Sequence, residues 1–280
     1  MQNEILMNSP HLDFPIIDAH VHLYPDALAP KVVPMLSSRF GNNPAFDGTL
    51  SDCRAAMAAS GISLSINLPV ATSSDHVGHT NEYWKNYAKA TDGIASFAAL
   101  HPKTPEAPNV VAEIAAAGFA GIKFHPEYQE FGFNDPLMDD IWAAMAENNL
   151  VAYLHAGGER VFEPPYRSSP SEIRTLHRRF PKLKIVAAHL GGFRMWDETE
   201  ETLVDEDVML DLSHTFFWMP HERIRRIICN HGARRILFGT DAPWQEQSRI
   251  LGAFTELALT ESDRRAICCE NAMTLLNIKI

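Results

Sequence analysis

Two histidines, His20 and His22, stand one residue apart at the end of the apolar run "FPIIDAHVHL", with Asp18 just before them. In a strand, residues two apart point to the same face. Both imidazoles therefore leave one side of one strand, and Asp18 is expected beside them. Imidazoles grouped with a carboxylate are the donors that Zn²⁺ and similar borderline ions prefer. Polar residues of the same kind end the later apolar runs: Asn67, His101, Lys123 with His125, His155, His189 before Gly191 and Gly192, Asp211 with His214, and Asp241. One buried histidine is ordinarily a satisfied core group. The same uncommon choice at the same end of many unrelated runs argues for a metal site instead.

A catalytic ion keeps a position open for water and lowers that water's pKa from about 15.7 to about 7, so hydroxide exists at neutral pH. His20 and His22 are expected to chelate from the first strand and His155 from a later strand across the mouth. Asp241, in "FGTDAPW", closes the ring from the last strand, adjacent to the first.

The runs that carry these polar ends define the architecture. "FPIIDAHVHL", "ISLSINLP", "IASFAALHP", "AGIKFHP", "LVAYLHAG", "KIVAAHLGG", "VMLDLSH" and "RILFGTDAPW" are nearly continuous in apolar residues. Parallel strands buried on both faces read this way. Between them lie helix candidates such as "LSDCRAAMAASG", "NVVAEIAAAG", "PLMDDIWAAMAENN" and "SEIRTLHRRFP", several ending at Gly, Asn or Pro. Eight such units predict a (β/α)₈ TIM barrel, a single α/β domain over residues 1–280 with the barrel at 14–258. The tail, 259–280, reads as a helix capped by Thr260. A doubly wound sheet would need a phosphate-type glycine loop after its first strand, and "HVHLYPD" is nothing of that kind. In a barrel the active site lies at the C-terminal strand ends, where the polar residues collect.

Composition narrows the partners. A net charge of −11 argues against nucleic acid or an anionic membrane surface. No apolar run is long enough to span a bilayer, and "MQNEILMNSPHLDFP" does not read as a signal peptide. Cys53, Cys229, Cys268 and Cys269 show no framework spacing, so free thiols in a cytoplasmic protein are expected. A small-molecule substrate fits, with a homo-oligomer left open.

"DAHVHL", "GIKFHP", "YLHAG", "AHLGG" and "LFGTDAPW" resemble the strand-end motifs of the amidohydrolase superfamily, in particular the amidohydrolase-related branch that includes aminocarboxymuconate-semialdehyde decarboxylase. The resemblance covers nearly the whole chain and extends to "ENAMTLLNI". It implies His20, His22, His155 and Asp241 as metal ligands, with one divalent ion, zinc foremost and manganese or a second ion as alternatives. It implies His189 as the acid/base that contacts substrate and Asp241 as a second catalytic group that takes a proton from the ion's water.

Other residues carry two readings. Lys123 either is carboxylated and bridges two ions, as in some members of the superfamily, or pairs with Asp18 or a substrate carboxylate; the second is preferred. His125 is a candidate pocket residue. The loop 157–170 offers Arg160 and Arg167 for a substrate carboxylate, unless they pair with a neighbour such as Glu163. Residues 24–46 are either a lid or a peripheral element. Trp196, Phe216 and Trp218 are pocket walls or ordinary packing, and Asp197 to Asp207 reads as a solvated acidic helix face. The expected reaction is hydrolysis of an amide, lactone or ester by activated water. Non-oxidative decarboxylation of an unsaturated or aromatic acid is the alternative, ranked second because no arginine stands at a strand end. A catalytically dead barrel would be expected to lose a ligand, and none is missing.

Overall fold

The run that carries the histidine pair forms β1 (Ile17–Val21), buried at every position. In the computed structural model of the chain, which describes residues 12–278, more short strands follow. They are β2 (Leu64–Asn67), β3 (Ile94–Ser96), β4 (Ala98–Ala99), β5 (Gly121–Phe124), β6 (Val151–Leu154), β7 (Lys184–Ala187), β8 (Met209–Asp211) and β9 (Ile236–Leu237). Pairing is parallel throughout, β1-β2-β3 and then β4 through β9 in sequence order. β3 and β4 are halves of one barrel strand, interrupted at Phe97, whose N–H still reaches the Asn67 carbonyl at 2.9 Å. The last strand returns to the first: Ala19 N–H donates to Phe238 O at 2.9 Å, Asp241 N–H to His20 O at 2.9 Å, and Val21 pairs with Ala242. Eight strands thus close into the (β/α)₈ barrel.

Local sequence explains the helices between them. Thr49 caps Leu50–Ser60 by accepting from Asp52 N–H at 3.3 Å, and Gly61 ends that helix in the left-handed region. Ser169 caps Pro170–Arg179 by accepting from Glu172 N–H, with proline at the first helical position where its missing N–H costs nothing. Alternation along the strands then sorts two cores. Val151 and Tyr153, with Val186, belong to the inner cluster, while Ala152, Leu154, Ile185 and Ala187 pack with the helix layer. Gly121 is needed where it stands, because a Cβ there would lie 2.3 Å from Val151 O and 2.5 Å from the Phe97 ring.

Three expectations are corrected here. The β1–β2 register shifts between Asp18 and Val21, so Asp18 does not share the face of His20. Its carboxylate instead accepts from Thr240 N–H, Thr240 Oγ1 and Gln247 Nε2 at 2.9, 2.6 and 2.8 Å, tying β1 to the end of β9 and to the helix Gln247–Thr255. The tail is a helix capped by Thr260, but a π-helical turn, Ala266–Glu270, divides it. The acidic segment is not merely solvated, since Arg223 pairs with Asp197 and Glu200, Arg226 with Glu200, and Arg178 with Glu206. The four cysteines are unpaired. Among the described residues no helix is long and apolar enough to cross a membrane; the start of the segment read as lacking a signal sequence, up to residue 11, lies outside them.

Candidate active site

The site grows from one buried carboxylate. Asp211, at the end of β8, accepts His20 Nδ1–H at 2.7 Å and Tyr153 OH at 2.5 Å on one oxygen. Its other oxygen takes the backbone N–H groups of His189 and Ser213, each at 2.9 Å, and the Ser213 hydroxyl. Burial resists ionisation, but this ring of donors, foremost the His20 imidazole, holds the Asp211 carboxyl well below the usual range. The consequence for His20 is a fixed tautomer. With Nδ1–H committed to Asp211, Nε2 presents a lone pair.

His22 is set the same way, because its Nδ1 lies 3.1 Å from the Leu68 carbonyl, which can only accept. The two Nε2 atoms stand 3.2 Å apart, with Asp241 Oδ1 3.4 Å from the first and 3.2 Å from the second. Two lone pairs and a carboxylate oxygen aimed at one point repel each other unless a cation lies among them. The donor set therefore fits a divalent ion, and its outer partners are those that orient metal-binding imidazoles. Burial, then the charge of Lys123, pulls the His20 pKa down to about 4, which keeps the ring neutral, the form able to bind a metal ion. Asp241 is held well below the usual carboxylate range: burial opposes this, and the His214, His22 and His20 imidazoles around it overcome it. Removing the orienting group tests the arrangement. Asp211→Asn is expected to weaken Zn²⁺ binding about 10- to 100-fold, read by competition with a chromophoric chelator; unchanged affinity would show that Asp211 does not position His20.

The structure brings together three of the four expected ligands. The fourth, His155, lines the same cavity without joining that cluster: its Nε2–H donates to Gly158 O at 3.1 Å, Nδ1 lies 3.2 Å from His189 Nε2, and the ring stacks on His125 at 3.9 Å between centroids. With His125 and Glu159 it forms a second group of close donor atoms. His189 lies in the same pocket, its Nδ1 2.8 Å from Ser213 Oγ, and Trp196 Nε1–H donates to its carbonyl at 2.9 Å. The φ angles of His189, His214 and Asp241 are 59°, 55° and 70°. A left-handed conformation costs such residues on the order of 1 kcal/mol each, and strain of this kind gathers at functional sites. Gly239, just before Asp241, is forced by proximity, since a Cβ would sit 3.0 Å from His20 Cβ.

Lys123 alternates inward on β5 and is fully buried, its Nζ 3.4 Å from His20 Nε2. It does not pair with Asp18, whose oxygens are occupied as described. Burial lowers its pKa to about 8 against the pull of Asp211 and Asp241. Above this floor opens a cavity of about 750 Å³ lined by both histidine groups, Arg160, Phe193 and the helix Ala29–Phe40, so residues 24–46 do cover the site. Arg167 is not part of it: half exposed, it turns to Glu127 at 3.9 Å rather than to Glu163. Trp196 and Phe216 are buried packing residues, while the half-exposed Trp218 carries the guanidinium groups of Arg160 and Arg194 over its ring. Sequence reasoning missed Tyr153, Ser213 and Glu159. Only the inward phase of Tyr153, two residues before His155, was a usable signal.

A closed parallel barrel carries these oriented imidazoles and an aspartate at its C-terminal mouth, an arrangement suited to holding a metal ion. The amidohydrolase family model (Amidohydro_2) matches residues 17–278, and the chain belongs to that family of enzymes. No curated protein matches it. Among solved structures it is similar to 5-carboxyvanillate decarboxylase from Sphingomonas paucimobilis (16% identity, TM-score 0.73, 95% of this chain and 99% of that one). The enzyme of the same name from Novosphingobium aromaticivorans, in complex with manganese and a hydroxymethoxynitrobenzoic acid, aligns at 13% identity and TM-score 0.71 over 96% and 97%. A protein provisionally named 2-pyrone-4,6-dicarboxylic acid hydrolase, from Pseudomonas putida, aligns at 19% identity and TM-score 0.66 over 96% and 99%. At these identities the likeness establishes the fold.

Proposed function

We propose that the protein is a metal-dependent, non-oxidative decarboxylase of an aromatic or unsaturated carboxylic acid. The ion, zinc or manganese, is held by His20, His22 and Asp241, with His155 the candidate fourth ligand. The carrying observation is the buried Lys123 ammonium on the cavity floor, 3.4 Å from His20 Nε2, with Arg160 in the wall above. The sequence ranks hydrolysis first because no arginine stands at a strand end. Arg160, although on a loop, lines the cavity and answers that objection, and the two decarboxylases of the same fold support the change.

In this reading Lys123 and Arg160 bind the substrate carboxylate and orient the bond beneath it. An ion bound at the site supplies Lewis acidity toward substrate oxygens. The bond from ring carbon to carboxylate breaks, CO₂ leaves, and the electron pair retained on carbon takes up a proton. Asp241 is the carrier proposed for that proton, with His214 Nδ1 3.0 Å from its second oxygen to replenish it. His189, tied between Ser213 and His155, shapes the same pocket and is the second proposed acid/base. His189→Asn is expected to retain the metal and lose about 10²- to 10⁴-fold in kcat. Metal content and turnover measured on one preparation decide it; an unchanged kcat removes His189 from the mechanism.

The reaction is tested with metal-loaded protein and a panel of aromatic acids, starting with 5-carboxyvanillate, in D₂O and in H₂¹⁸O. Stoichiometric CO₂ with one deuterium on carbon is expected. Solvent ¹⁸O in the organic product of a lactone or ester, with no CO₂ from any acid, would return the assignment to hydrolysis. That second reading draws on the same Asp241–His214 pair, which is equally placed to take a proton from water.

A further inference from the structure

The cavity is larger than a single-ring acid needs. A void of about 150 Å³ accommodates benzene, against about 750 Å³ here. The excess volume lies away from the polar floor, between the helices Ala29–Phe40 and Ser74–Trp84. Ala29 and Val33 of the first helix are buried in the protein. The residue preceding it, Leu28, and its residues Val32, Met35 and Leu36 follow a second helical stripe, and these line the cavity. The opposite wall is formed by Leu68, Val70 and Tyr83, with His76, His79 and Thr80 of the second helix among them.

That second stripe has no partner within the described chain. Leu28 is 49% exposed, Met35 60% and Tyr83 39%, three of the six large apolar side chains left exposed among the described residues. Exposed apolar side chains concentrated on one rim mark a binding surface. This one is continuous with the candidate active site, so a molecule whose head reaches Lys123 can extend its remainder between the two helices.

We propose that the substrate is an acid with an elongated apolar arm, alkyl or aryl, seated between these helices while its carboxylate lies at Lys123. The inference rests on the carboxylic-acid reading above and extends it to a substrate class. Leu28, Val32, Met35 and Tyr83 are then the residues that set specificity, through desolvation of the arm and without touching the reacting atoms.

The test is calorimetric titration of the full-length, metal-loaded protein with benzoate and its 4-ethyl, 4-butyl and 4-hexyl derivatives, beside 4-hexylphenol as a probe without the carboxylate. Affinity is expected to rise about three- to fourfold per methylene until the groove is filled, and Leu28→Glu and Met35→Glu are expected to flatten the series. Both positions are exposed, and an unchanged Tm confirms that each variant folds. A flat series with benzoate still bound overturns the arm and leaves the acid reading standing. Hexylphenol binding as tightly as hexylbenzoate, and sensitive to both variants, supports the groove and overturns the acid reading. A gain per methylene that survives both variants is nonspecific partition and overturns the groove, as does a dimer that Met35→Glu dissociates while the series stays flat.

Discussion

Asp241→Asn is expected to lower kcat by about 10⁴-fold, at the upper end of what a positioned proton carrier contributes, and to weaken binding of the ion as well. Asparagine fills the same space, so the loss is chemical. One carboxylate serves three imidazoles: Oδ1 lies within 3.4 Å of His20 Nε2 and His22 Nε2, and Oδ2 within 3.0 Å of His214 Nδ1. An amide turned to offer its oxygen to the histidine pair points its NH₂ at His214, and it carries no charge in either orientation. The loss in kcat is measured at saturating metal, with metal content determined on the same samples. Retention of near-wild-type turnover would exclude Asp241 from both roles.

Acid is expected to unfold the protein well before its carboxylates are protonated. Burial lowers the pKa of His20 to about 4, and it places His125, His155 and His189 well below the ordinary histidine range. In the unfolded chain each titrates near 6.5. Above that pH both states are neutral and the four contribute no pH dependence. Below it the unfolded state binds protons that the folded state refuses, so stability falls as pH falls. Each histidine removes about 1.4 kcal/mol per pH unit, and the four together about 5.5 kcal/mol per unit, against a total stability for a typical protein of about 5–15 kcal/mol. Tm followed from pH 8 to pH 5 should stay level to about 6.5 and then drop steeply. Bound metal should steepen the drop, because it too requires neutral imidazoles. A Tm unchanged between pH 6.5 and 5.5 would mean that these rings accept protons in place.

The barrel was legible because periodicity and position agreed. Apolar runs of strand length, each ending in a polar residue, leave few other ways to bury both faces of a sheet, and the last run falls beside the first only if the sheet closes. His20, His22 and Asp241 followed from that geometry. What was not legible depends on departures from regularity. The shift within β1 sends Asp18 to Thr240 and Gln247, and strict alternation has no means of anticipating it. The orientation of His155 is set by the Gly158 carbonyl and the His125 ring, which only loop conformation brings to it. Arg160 and Arg167 occupy the same loop, and their opposite fates turn on Glu127, forty residues earlier than Arg167 in the chain.

The seam between β1 and β9 has a bearing on how the protein is made. His20 and His22 are near one end of the chain and Asp241 near the other, and the Asp18–Thr240 bond joins residues 222 positions apart. During synthesis the first seven barrel strands can pair in order as they emerge, yet the histidine pair still lacks Asp241. Only when residues 236–242 have cleared the ribosome does the last strand meet the first, and the proposed metal site would be completed in the same event. A ribosome-stalled chain ending before residue 236 should therefore acquire parallel strand structure without the high-affinity ion, and capture of metal by the nascent protein would report closure of the barrel itself.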